Sequence, residues 1–83
     1  MKKPAMKSFQ FAVGHSNISS GHVLKTDRTV FLGEGEVFLI FDTEREANDY
    51  MQDRVSREPE IECWVEDSSG RHIRTLNKNG ERK

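Results

Sequence analysis

Apolar and polar positions alternate at Phe9-Gln10-Phe11-Ala12-Val13, which puts Phe9, Phe11 and Val13 on one side. A period of two is the pattern of a half-buried strand. Residues 14–21 read as a polar, serine-rich loop. Residues 22–25 and 29–32 read as two short strands around a turn at Thr26-Asp27-Arg28. Gly33-Glu34-Gly35 then interrupts the chain. The uninterrupted apolar run Val37-Phe38-Leu39-Ile40-Phe41 that follows predicts a central strand over 36–41.

The period then changes to that of a helix. Ala47, Tyr50, Met51 and Val55 fall on one face at three- and four-residue steps. Thr43 and Glu46 have capping-box spacing, in which side chains satisfy free amides at a helix start. Asp53 and Arg57 are four apart and predict an ion pair. Pro59 stops the helix and pushes Glu58 into an extended conformation.

Alternation returns at Ile61-Glu62-Cys63-Trp64-Val65-Glu66. Asp67-Ser68-Ser69-Gly70 suits a type I turn with glycine in the left-handed bulge position. That turn sets Asp67 opposite Arg71, Val65 opposite Ile73 and Trp64 opposite Arg74. A two-residue loop would set Val65 opposite His72 and Cys63 opposite Arg74. The first register keeps the core face apolar and is the one expected. Residues 77–83 read as a polar, basic end that frays, and 1–7 as a mobile basic start.

These elements predict an α+β domain in the order ββββαββ, with one helix packed on one face of a small, mostly antiparallel sheet. The expected core is Phe9, Phe11, Val13, Phe38, Ile40, Ala47, Tyr50, Met51, Val55, Ile61, Cys63, Val65 and Ile73. Val37, Leu39 and Phe41 should point to the other sheet face, which one helix cannot reach. Either the segment 22–32 wraps that second face, or part of it is an association surface.

Composition narrows the class. A chain of 83 residues holds one domain, 1–83, with a thin stability margin. Charged residues make up 33%, yet the net charge is only −1, which does not fit a wholly disordered chain. A single cysteine, Cys63, excludes an intramolecular disulfide and suits a reducing compartment. The basic start, Met1-Lys2-Lys3-Pro4, is followed by no apolar run of signal-peptide length, and nothing approaches a membrane span. The expectation is a cytoplasmic chain with no membrane partner.

Charge is segregated along the sequence. Between Glu34 and Asp67 lie twelve acidic residues and three arginines, a balance of −9. The flanks carry ten basic and two acidic residues, a balance of +8. In the acidic block, Glu46, Asp49 and Asp53 form a helical stripe. Glu62 and Glu66 flank Trp64 on the polar face of a strand, with Arg74 across from it. Together these seven residues are the candidate partner-binding set: an acidic surface with an aromatic anchor for a basic partner. An ordinary solvated helix face, with acid favoured near its start, has the same appearance. Trp64 is equally well explained if Arg74, or another layer of the fold, covers it. The basic ends (Lys2, Lys3, Lys7, Arg71, Arg74, Lys78, Arg82 and Lys83) suit phosphate contact if they meet in space. No aromatic residue near them offers a stacking surface, and the acidic block would repel the same ligand.

Other chemistry finds little support. His15, His22, His72 and Cys63 form no close zinc-type pair, so no metal and no cofactor is expected. Ser16, Ser19 and Ser20 lie between His15 and His22, but no Gly-x-Ser-x-Gly elbow is present. Gly33-Glu34-Gly35-Glu36 lacks the lysine and the following helix of a phosphate loop. The 14–22 loop offers small hydrogen-bonding groups, as binding loops and ordinary connections both do. The leading expectation is a non-enzymatic protein-interaction or regulatory module whose partner is a protein, a second copy of the chain included. The alternative is a nucleic-acid-associated accessory protein that uses its basic ends.

Overall fold

The computed structural model describes residues 4–82. The order of elements is β1 (Phe11–Asn17), β2 (Val23–Leu24), β3 (Leu39–Phe41), α1 (Glu44–Arg57), β4 (Ile61–Asp67), β5 (His72–Asn77) and β6 (Gly80–Arg82). The fold is α+β, an open six-stranded antiparallel sheet with α1 on one face. The strands follow the path β2-β1-β4-β5-β6, and β3 also pairs with β1.

β1 is the organising strand. It pairs with β4 along its whole length, from Phe11 opposite Asp67 to Asn17 opposite Ile61. Its other edge is shared. β3 takes Phe11 to Val13, and β2 takes His15 and Ser16. β3 and β4 are therefore parallel to each other with β1 between them, and α1 makes the crossover.

The helix forms as its caps dictate. The Thr43 hydroxyl accepts from the Glu46 amide at 3.1 Å and donates to the Glu46 carboxylate at 3.0 Å. Acidic Glu44 and Glu46 sit in the first turn, and Arg54 and Arg57 in the last, which complements the helix dipole. Glu58, before Pro59, leaves the helix at φ −129° and ψ 80°, short of the extended conformation expected, and its N–H bonds the Arg54 carbonyl at 2.8 Å. Ala47, Met51 and Val55 pack on Val13, Leu24, Ile61, Cys63 and Val65, with Phe11, Phe41, Tyr50, Ile73 and Leu76 around them. Ten of the expected core residues lie in this cluster.

Several expectations are corrected. The first strand does not stop at Val13. Gly14–Asn17 continue β1, because β4 offers partners on one edge and β2 on the other; available hydrogen bonds outweigh the polar composition. Phe9 is 55% exposed: the chain turns at Ser8 and Phe9, so alternation starts only at Phe11. The run 36–41 is not a central strand. Only Leu39–Phe41 pair, on an edge of β1, and their facing is the reverse of that expected. Phe41 packs against the helix-side core, whereas Ile40 is 36% exposed and Phe38 joins Val37 on the other face. Residues 29–32 form no strand; Leu24 and Val30 make a single bridge. An additional strand, β6, lies beyond Asn77. The order is thus βββαβββ rather than ββββαββ.

The 67–70 turn forms as predicted. The Asp67 amide bonds the Arg71 carbonyl at 3.0 Å, and Gly70 has φ +86°. A bulge between Val65 and Glu66 then shifts the register. Val65 faces Arg74, Trp64 faces Thr75 and Cys63 faces Leu76. The expected pairs Val65–Ile73 and Trp64–Arg74 do not occur, because an extra residue on one strand moves every later pair by one.

The second sheet face is covered from within the chain. Ala12, Val37 and Phe38 are buried there, and Met6, Val23, Phe31 and Trp64 pack against them. The 22–32 segment supplies part of this cover, the first of the two alternatives posed above.

Candidate functional site

The predicted interaction residues separate into three groups. Glu46, Asp49 and Asp53 are exposed on the outer face of α1, turned away from the sheet. Glu46 is engaged with Thr43, and Asp53 bonds the Arg57 guanidinium at 2.9 Å. Among the described residues, Asp49 has no ion pair.

Glu62, Trp64 and Glu66 lie on the opposite sheet face, since Ile61, Cys63 and Val65 alternate with them and point to the helix. The Trp64 indole lies over Gly14, its cross-strand partner, where a Cβ would collide with the ring. Phe38 meets it edge-on, with centroids 6.0 Å apart. Its Nε1–H donates to Glu66 Oε2 at 2.9 Å. Glu62 is only 8% exposed and accepts from Asn77 Nδ2 at 3.0 Å. Trp64 is thus covered by other layers of the fold on one side of its ring.

Arg74 belongs to neither group. It reaches from β5 to α1, where it bonds Glu44 at 2.8 Å and the Asn48 amide oxygen, and it lies 3.6 Å from Glu81. The structure therefore assembles Glu62, Trp64 and Glu66, keeps the helix stripe apart from them, and uses Arg74 to tie β5 to the helix.

Next to the stripe an open groove of about 510 Å³ runs between α1 and the β5–β6 hairpin. Val55, Pro59 and Leu76 supply its apolar part, with Gln52, Asn77 and Lys78 on the rim. It exists because β5 and β6 extend the sheet beyond the width that one helix covers.

Sequence reasoning weighed His15 only as a loop residue and missed the burial that makes it the most unusual polar group. It is 0% exposed, on the helix side of β1 opposite Cys63. Its Nε2 shares a 2.7 Å hydrogen bond with the Tyr50 hydroxyl, and its Nδ1 meets no partner. Burial, then Arg28 and Arg54, lower its pKa to about 4, so it is neutral at pH 7. Burial pushes the Cys63 thiol up to about 12, so it is a neutral thiol at pH 7. Burial also raises the Tyr50 hydroxyl. Arg54 lies over the Tyr50 ring at 5.7 Å and bonds Glu58, and Glu58 also holds Arg28 at 3.1 Å. The parity Phe11, Val13, His15 was the available signal: one more step of alternation reaches the histidine.

His22 and His72 are both exposed, and His72 shares a hydrogen bond with Thr75. Among the described residues no three His, Cys, Asp or Glu side chains are grouped to hold a metal ion. No helix among them is long and apolar enough to cross a membrane. Comparison of the chain with protein-family models, with curated proteins and with solved structures finds no match, so the functional reading rests on the geometry above.

Proposed function

We propose that the protein is a small non-enzymatic interaction module of the cytoplasm that docks a basic protein partner on the outer side of α1. The observation that carries this reading is the exposed stripe Glu46, Asp49 and Asp53 on a helix that is capped at both ends and anchored to the sheet along its other side. A rigid acidic helix face speeds encounter with a basic partner, and the groove beside it offers apolar contact once docked. Glu62 and Glu66 add negative charge on the far face, where Trp64 already packs on Gly14 and Phe38. Trp64 serves the reading as a secondary contact. The argument for a homodimer is weakened, because the chain itself covers Val37 and Phe38.

The test is a pull-down from a lysate of the native host, with and without nuclease, at low and moderate salt. Wild type is compared with a Glu46→Lys, Asp49→Lys double variant and a Glu62→Lys, Trp64→Ala double variant. A protein that survives nuclease and is lost with the helix variant supports the reading. Retention of every captured protein by the helix variant removes it. Capture only without nuclease transfers the role to the basic ends and nucleic acid.

A further inference from the structure

The His15 cluster connects the buried core to the strap of chain over residues 25–36. Arg28 stands in the strap with φ +66°, a left-handed conformation that costs a non-glycine residue roughly 1 kcal/mol. Two side-chain contacts hold it there, beside its own backbone bond to Lys25. Its Nε lies 3.1 Å from Glu58 Oε1, and its Nη1 donates to the Thr26 carbonyl at 2.9 Å. The second oxygen of Glu58 is engaged by Arg54. Four backbone bonds secure the strap: Lys25 N–H to Thr29 O at 2.7 Å, and Thr26 N–H to Glu36 O, Arg28 N–H to Lys25 O and Phe31 N–H to Val23 O, each at 2.8 Å. Leu32 at its tip is 87% exposed, and Gly33 and Gly35 have positive φ.

The ionisable groups around His15 come from three elements. α1 contributes Tyr50 and Arg54, with Glu58 at its C-cap; β4 contributes Cys63; the strap contributes Arg28. The paired residue on β2, Leu24, carries no charge. At neutral pH two guanidiniums share the Glu58 carboxylate, and the imidazole beside them is neutral.

We propose that this cluster is an acid-operated latch: a proton taken up by His15 adds a third cation beside Arg28 and Arg54, and Arg28 lets go of Glu58 and frees the 25–36 strap. Arg28 is the group that leaves because Arg54 is held three ways, on its own helix turn by Glu58, near Asp53 and over the Tyr50 ring. The positive φ of Arg28 is relieved only when the turn opens with it and its N–H leaves the Lys25 carbonyl. An open strap admits water to His15, which stabilises the proton that opened it. It carries Phe31 away from Val37 and Phe38, so acid uncovers the apolar face beside Trp64. The latch does not depend on the helix stripe being a docking face.

Hydrogen exchange followed by NMR at pH 7 and pH 4.5, corrected for intrinsic exchange rates, tests it. The Lys25, Thr26 and Phe31 amides should lose at least tenfold in protection at pH 4.5, while the β1–β4 ladder keeps its own. His15→Gln should leave strap protection the same at both pH values. Protonation of Glu58 would free Arg28 without His15, and this variant separates the two. The latch is overturned if strap and ladder lose protection together, or if the strap still opens in His15→Gln. Should that variant not fold, the His15 ring protons of the native chain give the answer. Their titration midpoint must coincide with strap opening, and a separation of more than about one pH unit overturns the latch.

Discussion

Helix α1 covers one face of the sheet with a single repeating element, whereas the other face is covered by separate pieces of chain: Met6, Val23, Phe31, and Val37 with Phe38. On the helix side, packing, capping and dipole all agree. Ala47, Met51 and Val55 face inward, Thr43 closes the start, and basic residues close the end. On the other side the cover has little secondary structure of its own, crosses three positive-φ residues (Arg28, Gly33 and Gly35), and leaves Val30 and Leu32 exposed. A face covered by a helix opens with the whole fold. A face covered by a strap can open by itself, because few hydrogen bonds must break.

The strongest way to sharpen this contrast is to empty each face in turn. Met51→Ala removes a fully buried side chain between helix and sheet and should cost about 4 kcal/mol of global stability, read from the urea midpoint. Phe31→Ala on the strap should cost about 1 kcal/mol globally, because its side chain is only partly buried, and should mainly raise strap exchange. Equal global losses would erase the distinction between the faces.

Acid probes the same contrast through His15. Its value is about 4 folded against 6.5 in the unfolded chain. Between those values the unfolded chain binds more protons, so folding stability falls as pH drops through that window and His15 adds no further loss below it. By pH 4.5 the loss amounts to about 2.5 kcal/mol if the strap stays shut, and to less if the strap opens and rehydrates the ring. His15→Gln should abolish the slope between pH 6.5 and 4.5 in denaturant titrations. Asp27 and Asp67 report separately. Hydrogen bonds from Thr29 to Asp27 and from Ser69 to Asp67 hold both carboxyls below the ordinary value of 3.8, so their contributions persist through this window and fall away only at lower pH.

Gly14→Ala tests the sheet itself beneath the second face. The new Cβ meets the Trp64 ring, and overpacking at a fixed backbone should cost about 2 kcal/mol and perturb the single tryptophan's fluorescence. An unchanged spectrum would mean the indole does not rest on Gly14. Thr43→Ala should match the small global effect of Phe31→Ala, about 1 kcal/mol in thermal or urea unfolding, since one capping interaction is lost on the helix-covered face.

How much was legible follows the same division. The helix could be read because its signals are local: Thr43 with Glu46, the 47–50–51–55 face, and Pro59 all act within a few residues. The 67–70 turn was legible for that reason, and so were ten core residues that follow a simple period. The candidate site was only partly legible. Charge segregation was visible, but whether the helix stripe and Trp64 share a surface depends on which face each strand residue takes. His15 was hidden because a serine-rich neighbourhood suggested a loop, although β4 and β2 pair with that stretch and make it strand.

By itself the sequence determined one capped helix among strands, a tight hairpin at Asp67–Gly70 and an acidic middle between basic flanks, since each rests on interactions between near neighbours. Only the tertiary structure decided that β1 runs on to Asn17, that the apolar run 36–41 ends as a three-residue edge strand, that a bulge turns Arg74 toward the helix, and that His15 is sealed against Tyr50. Strand extent, facing and register depend on which distant backbone offers its hydrogen bonds, and no local pattern carries that information.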